Sequence, residues 1–163
     1  MVVMEYYYDS PIGILKLVKD DTGLAEIEFV DVLTNRVGKN DRDGFLLIIQ
    51  WLDQYFNGKV RPIDFPLHPI GTSFQKTVWQ LLLNIPYGQT ISYGELASLY
   101  GQTKGISFRC AQAIGQAVGA NPLPIVIPCH RVLAKDNLIG GYSGGLARKR
   151  YLLDLERIQY KEK

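Results

Sequence analysis

Cys129 and His130 stand side by side in the segment Asn121-Pro122-Leu123-Pro124-Ile125-Val126-Ile127-Pro128-Cys129-His130-Arg131-Val132. A thiol with an ordinary pKa near 8.5 is only about 3% thiolate at pH 7, and the thiolate is the nucleophile. A basic partner that lowers this pKa well below neutral raises the thiolate fraction roughly thirty-fold, worth about 2 kcal/mol. Cysteine beside imidazole is therefore a physically sensible nucleophile, although a free cysteine is usually an inert core residue. Geometry sets a condition. Adjacent side chains on a regular strand point to opposite faces, so the pair cooperates only if the Pro128 turn breaks the strand or a water bridges thiol and imidazole. A cysteine hydrolase or acyltransferase is a weaker alternative, because its cysteine and histidine usually lie far apart in sequence.

Other chemistries are less well supplied. The only histidines are His68 and His130, and no paired-cysteine spacing occurs, so no metal or other cofactor is expected. Cys110 could pair with Cys129, but no signal peptide is visible at Met1-Val2-Val3-Met4-Glu5. That points to the cytoplasm, where thiols stay reduced. No apolar run approaches the roughly 20 residues that span a bilayer, so no membrane partner is expected.

Around this centre, 163 residues allow one large domain or two small ones. The net charge of +2 hides an asymmetry: up to Thr72 there are 7 basic and 11 acidic residues, and from Ser73 onward 11 basic and 5 acidic. The basic half is a weak pointer to a polyanion. Glu5-Tyr6-Tyr7-Tyr8, 14–18 and 24–29, separated by Asp9-Ser10-Pro11 and Asp20-Asp21-Thr22-Gly23, predict a three-stranded antiparallel meander. The tyrosine run reads as strand packing rather than a stacking platform. Leu46, Ile49, Leu52 and Phe56 have helical spacing within 43–56, and 62–71, with three prolines, reads as a linker. The expected domains are 1–68, α/β, and 69–163, mostly helical.

In the second half, Thr72 and Gln75 predict a capped helix through Leu83, and Ser92 and Glu95 one over 93–100 that Gly101 ends. Ser107 is expected to cap a helix over 108–118, the second of a helix-turn-helix. Residues 125–127 and 132–134 read as short strands, 135–137 as a turn or wing, and 146–158 as a closing helix. Together these predict a winged-helix-like unit.

Pro128-Cys129-His130-Arg131-Val132 resembles the signature of the O6-alkylguanine-DNA alkyltransferases, the methylated-DNA–protein-cysteine methyltransferases. Gly119-Ala120-Asn121-Pro122, Gly140-Gly141-Tyr142-Ser143-Gly144-Gly145-Leu146, Ile91-Ser92-Tyr93-Gly94-Glu95 and Leu152-Leu153-x-x-Glu156 fall where that family has them. The likeness is close from Ser73 to Glu156 and general in the first domain, for which it implies a ribonuclease-H-like layout.

The resemblance implies irreversible, single-turnover transfer of an alkyl group from O6-alkylguanine in double-stranded DNA to Cys129, with O4-alkylthymine a second candidate lesion. His130 would deprotonate the thiol through a water, and Glu156 would orient His130, the relay of nucleophile, base and orienter. Asn121 would organise the active-site turn, and Tyr93 would donate a proton to guanine N3. Pro124, Val132, Tyr142, Ser143 and Gly144 would line the pocket, whereas Arg131 reads as a structural ion-pair partner. DNA would be met through the minor groove with the base flipped out, by a monomer. Small residues including Ala111 and Gly115 would allow the helix that approach. Gln112 occupies the register where the family commonly has a space-filling arginine, and Arg109 stands about one turn away. The connection from Gln102 to Phe108 is longer than in many members. The alternative is a lesion-sensing alkyltransferase-like protein without chemistry, against which Cys129 itself argues.

Overall fold

The computed structural model describes residues 3–31 and 42–162. Met1 and Val2, within the N-terminal stretch read above, lie outside them. The chain divides into two compact units, Met1–Ile70 and Gly71–Lys163.

In the first unit, β1 (Met4–Ser10), β2 (Gly13–Lys19) and β3 (Leu24–Val30) form an antiparallel sheet in that order. Alternation sends Leu15 and Leu17 of β2 inward, where they pair with Tyr8 and Tyr6 on one side and Phe29 and Ile27 on the other. Helix α1 (Leu46–Phe56) buries Ile48, Ile49, Trp51, Leu52 and Tyr55. It meets the sheet through the tyrosine run: the Tyr8 hydroxyl donates to Asp53 at 2.6 Å and its ring stacks on Phe56, while Tyr6 stacks on Phe45. These rings are therefore packing elements.

The proline-rich stretch is not a free linker. Leu67 bridges to Leu24, whose amide donates to the Pro66 carbonyl at 2.9 Å, and Phe65 is buried. His68 sits 2.6 Å from Asp20. Sheet-edge hydrogen bonding has overridden the local proline signal, which leaves carbonyls free to accept even where no N–H can donate.

The second unit is built on α2 (Ser73–Leu83), α3 (Tyr93–Lys104) and α4 (Ala111–Gly119), which pack on one another. Both expected capping boxes are present, Thr72 with Gln75 and Ser92 with Glu95. The Trp79 indole donates to the Ala117 carbonyl at 2.8 Å, pinning α2 to α4. Phe74, Tyr100 and Phe108 form an aromatic cluster with centroids 4.7–5.8 Å apart.

Three boundaries differ from expectation. Helix α3 runs past Gly101 to Lys104 and ends on Gly105, which takes the left-handed conformation of a C-cap. Gly101 is a packing glycine: a Cβ there would lie 2.7 Å from the Ile106 carbonyl oxygen. Helix α4 begins at Ala111, not 108, because the Cys110 sulfur rather than Ser107 caps it, accepting from the Ala113 amide at 3.4 Å. The interhelical connection is thus 105–110, and Arg109 precedes the helix.

The expected wing ribbon is absent among the described residues. Residues 125–127 form turns rather than a strand, and β5 (Val132–Leu133) pairs in parallel with β4 (Ile91–Ser92) just before α3. The closing helix α5 (Leu146–Leu155) stops before 158, with Glu156 at its C-cap and Arg157 at φ 60°. No described helix is long and apolar enough to cross a membrane.

Candidate active site

Asn121 shapes the turn that presents the thiol. Its Nδ2 donates to the Ile127 carbonyl at 2.8 Å, and its Oδ1 accepts from the Leu123 amide at 2.9 Å. The Ile127 amide closes the loop onto the Leu123 carbonyl at 2.8 Å, and Ile125 is held at φ 77°. A β-branched residue in that region is strained, so the clamp has overcome the strand preference of Ile125-Val126-Ile127.

Cys129 to Arg131 then form a single 3-10 turn. With about three residues per turn, neighbouring side chains diverge by about 120° rather than 180°. No strand runs through Pro128-Cys129-His130, so the alternation that would put thiol and imidazole on opposite faces does not arise. Cys129 is 4% exposed and His130 fully buried.

Glu156 anchors the imidazole. Its Oε2 lies 2.5 Å from His130 Nε2, and the Arg131 guanidinium donates to both carboxylate oxygens, at 2.7 Å from Nε and 3.1 Å from Nη2. The Gly88 amide donates to Oε1 at 3.0 Å. Arg131 also donates to the Ile85 carbonyl at 2.7 Å and lies over the Tyr87 ring. It is the structural ion-pair partner that the sequence suggested.

Electrostatics follow from burial. Desolvation alone would raise the Glu156 carboxyl, but hydrogen bonds and charge from His130 and Arg131 outweigh it and hold the group at about 2. Burial pushes the His130 imidazole down despite Glu156. At neutral pH the ring is therefore neutral, Arg131 balances Glu156, and Nε2–H is the donor to the carboxylate. That tautomer, assigned from the hydrogen bond, leaves Nδ1 as the basic nitrogen.

Burial also pushes the Cys129 thiol up, against relief from a hydrogen bond to Asn121, the charge of Lys149 and a hydrogen bond to Tyr142. The expected low-pKa resting thiolate is thus corrected: in the closed site the sulfur is a neutral thiol. An adjacent neutral imidazole supplies a base, not a positive charge, so nothing from His130 offsets desolvation.

The two units each match a family model. Residues 3–69 match the ribonuclease-like domain of 6-O-methylguanine DNA methyltransferase, and residues 73–158 match its DNA-binding domain. This chain belongs to the O6-methylguanine DNA methyltransferase family. It is 40% identical over 162 residues to the methylated-DNA–protein-cysteine methyltransferase of Haemophilus influenzae, covering 96% of this chain and 88% of the relative. The crystal structure of the Mycobacterium tuberculosis O6-methylguanine methyltransferase superposes with a TM-score of 0.82 at 37% identity, covering 99% of this chain and 97% of that one. A structure of the same organism's protein in complex with DNA gives 0.81 at 38%, covering 94% and 92%.

Around this methyltransferase-family centre, the remaining candidates divide. Tyr142 reaches Cys129, and Tyr93 lies close enough for the sulfur's charge to act on its phenol, which burial raises. Pro124 and Val132 are buried, whereas Ser143 is exposed and Gly144 half-buried on the loop beyond Tyr142. A groove of about 490 Å³ runs past Tyr93 and is lined also by Ala111 and Ala134. Gln112 and Ala111 are exposed on the first turn of α4, and Arg109 is exposed before the helix. Gly115 faces the Tyr93 ring, 3.8 Å from where a Cβ would stand.

Both cysteines are free, Cys110 exposed and Cys129 buried. Two participants were missed from sequence. Gly88 supplies an amide to Glu156, and Lys149 is fully buried, its Nζ donating to the Val132 carbonyl at 2.8 Å and the Gly141 carbonyl at 3.0 Å. The signal for Lys149 was present: Lys149, Leu152, Leu153 and Glu156 recur at i, i+3, i+4 and i+7, so two charges share the buried stripe of α5.

Proposed function

We propose that this protein repairs DNA by direct reversal, accepting the alkyl group of O6-alkylguanine irreversibly on Cys129. The observation that carries this reading is the buried array of Cys129, His130 and Glu156 in a chain of this family. His130 Nδ1 takes the thiol proton through one water while Glu156 holds the opposite nitrogen. The sulfur attacks the alkyl carbon, an S–C bond forms, and the C–O6 bond breaks with its electrons passing to guanine. Tyr93 protonates guanine N3, and the imidazolium returns a proton to the phenolate.

An O6-alkyl group is buried in the base stack, so the nucleotide must leave the duplex. Helix α4, with Ala111 and Gly115 on its approach side, meets the minor groove, and Gln112 fills the gap. Tyr142, Ser143 and Gly144 close over the flipped base, with Pro124 and Val132 behind them. The thioether has no leaving group through which water regenerates the thiol, so the reaction ends after one turnover.

The test is incubation with a duplex containing O6-methylguanine, followed by intact mass and peptide mapping. One methyl mass on Cys129, with repaired DNA reaching a plateau at one equivalent, is expected. Cys129→Ser abolishes transfer and Cys110→Ser preserves it. Methyl mass on Cys110, or turnover beyond one equivalent, sinks the reading.

A further inference from the structure

Ile85-Pro86-Tyr87-Gly88-Gln89 leads from α2 towards β4 and has no step in the reaction as written. It closes as a β-turn, the Gln89 amide donating to the Pro86 carbonyl at 3.1 Å, with Gly88 at φ 80° in the third position. That angle favours glycine, so the turn is fixed locally. What it touches is tertiary. The Ile85 carbonyl accepts from Arg131 Nη1 at 2.7 Å, and the centre of the Tyr87 ring lies 5.6 Å from the guanidinium carbon. The Gly88 amide donates to Glu156 Oε1 at 3.0 Å, and the Tyr87 hydroxyl donates to the Leu155 carbonyl at 3.3 Å. One short turn therefore grips both members of the Arg131–Glu156 pair and the end of α5.

That pair bears on the charge of His130. Cys129 and Arg131 flank the imidazole on its own turn, and Lys149 and Glu156 face it from α5 and its C-cap; Tyr87 in turn faces Glu156, Arg131 and Arg157. Burial is the largest influence holding the ring neutral, and the charges of Arg131 and Lys149 add to it, while Glu156 opposes them. With Arg131 bound to both carboxylate oxygens, Glu156 anchors Nε2 without drawing a second proton onto the ring. A guanidinium released into water would leave the carboxylate facing the imidazole alone, with water beside it. Both changes favour the imidazolium, which has no free nitrogen to accept the thiol proton. Arg131 keeps 10% of its side chain exposed against none for Glu156, so it is the member with a route to water, and half-buried Tyr87 lies over it.

We propose that Tyr87 is a positioning residue for alkyl transfer: with Ile85 and Gly88 it locks Arg131 onto Glu156 and so keeps His130 an uncharged base. This rests on Cys129 as the acceptor and His130 as its base, and two readouts distinguish its failure from failure of that reading. NMR titration of histidine-labelled protein reports protonation of His130 without any guanine, the only other histidine being assigned with His68→Gln. The pH dependence of benzyl transfer from free O6-benzylguanine reports the reaction without DNA binding.

Y87A is expected to raise the His130 midpoint by roughly one unit or more, the effect of losing desolvation and a nearby like charge. The acid limb of benzyl transfer moves up with it, so on that limb the rate at a fixed pH falls roughly ten-fold for each unit of rise. Y87F, which keeps the ring over Arg131 and loses only the hydroxyl, restores the wild-type midpoint and acid limb. A merely structural tyrosine would lower the melting temperature of Y87A and leave the midpoint where it was, and that unmoved midpoint overturns the proposal. So does a Y87F midpoint raised as far as that of Y87A, because the ring would then not be what holds Arg131. If Y87A does not fold, Y87L, which refills the space without an aromatic face, decides: a raised midpoint supports the proposal and an unmoved one overturns it. An acid limb that stays put while the midpoint rises refutes His130 as the base. A wild-type protein that takes no benzyl group while the midpoints shift as expected refutes the alkyl-transfer reading and leaves the turn's hold on Arg131 standing.

Discussion

Replacing Glu156 by glutamine tests the centre of the site most directly. The carboxylate accepts from four N–H donors: His130 Nε2, Arg131 Nε and Nη2, and the Gly88 amide. Glutamine offers a single carbonyl oxygen and turns its own NH2 toward donors, so at least two of these bonds fail. Arg131 is left buried without a counter-charge. The carboxyl sits at about 2 against an ordinary 4.5, which at about 1.36 kcal/mol per unit corresponds to on the order of 3 kcal/mol. The side chain is fully buried, so solvent does not screen this. The usual penalty for breaking a buried pair, roughly 3–5 kcal/mol, agrees. The folded-state pKa is depressed, so this contribution is fully present above the unfolded value and is lost as pH falls toward 2. Urea unfolding of wild type and Glu156→Gln should therefore differ by about 3 kcal/mol at pH 7, with the gap closing between about pH 4.5 and 2. Alkyl transfer should fall at least a hundred-fold, in the range of lost general-base function. A gap below about 1 kcal/mol at pH 7, or one that does not change with pH, would refute the assignment of Glu156 as the counter-charge.

Three further outcomes follow from particular contacts. Asn121→Ala strands the Leu123 amide and leaves the Ile127 carbonyl with the Cys129 amide as its remaining donor, so stability should drop by about 1–3 kcal/mol in denaturant titration. Transfer should slow with it, and an unchanged rate would show that the turn does not position the thiol. Gly101→Ala drives a methyl to 2.7 Å from a backbone oxygen, whereas Gly119→Ala meets nothing within 4 Å. The first should cost about 1–3 kcal/mol and the second be neutral or slightly stabilising, and melting curves in the opposite order would contradict the packing described. Gln112→Ala should slow repair of duplex DNA while sparing free O6-benzylguanine, and Arg109→Ala should weaken binding and flatten its salt dependence by about one phosphate contact. If the two phenotypes are exchanged, Arg109 and not Gln112 replaces the flipped base.

What could be read from sequence was local, and what could not was tertiary. The capping boxes at Thr72 and Ser92 are satisfied within four residues, so they fix helix starts without reference to the rest of the fold. Glycine is ambiguous in the same way that a capping box is not: Gly101 is there for the carbonyl of Ile106, and Gly105 for its backbone angles. Ile125-Val126-Ile127 has strand composition, but two hydrogen bonds from Asn121 outrank β propensity. His130 and Glu156 were placed together by family resemblance, since 26 residues separate them. Lys149 escaped because a charge on a helix is ordinarily read as solvent-facing, even when its spacing puts it among leucines.

The raised pKa of the resting thiol bears on why the site is built closed. A protein that reacts once is lost to any stray electrophile as surely as to its substrate, so an always-ionised cysteine would be a poor acceptor. Exposure and thiolate character govern such side reactions, and Cys129 has little of either: it is 4% exposed and held neutral by burial. Cys110, exposed on the edge of α4, is the thiol that unselective reagents should find first. The means of ionising Cys129 are nevertheless already in place, with a neutral imidazole held by Glu156 and the positive charge of Lys149 acting on the sulfur. Only a substrate that seats an alkyl carbon against the sulfur draws on them, because only then is the proton's departure repaid by an S–C bond. Comparing the iodoacetamide rates of Cys129 and Cys110 in the native protein tests this ordering. Cys129 should react more slowly at pH 7, as its burial and raised thiol require, and equal rates would show that burial gives no such protection.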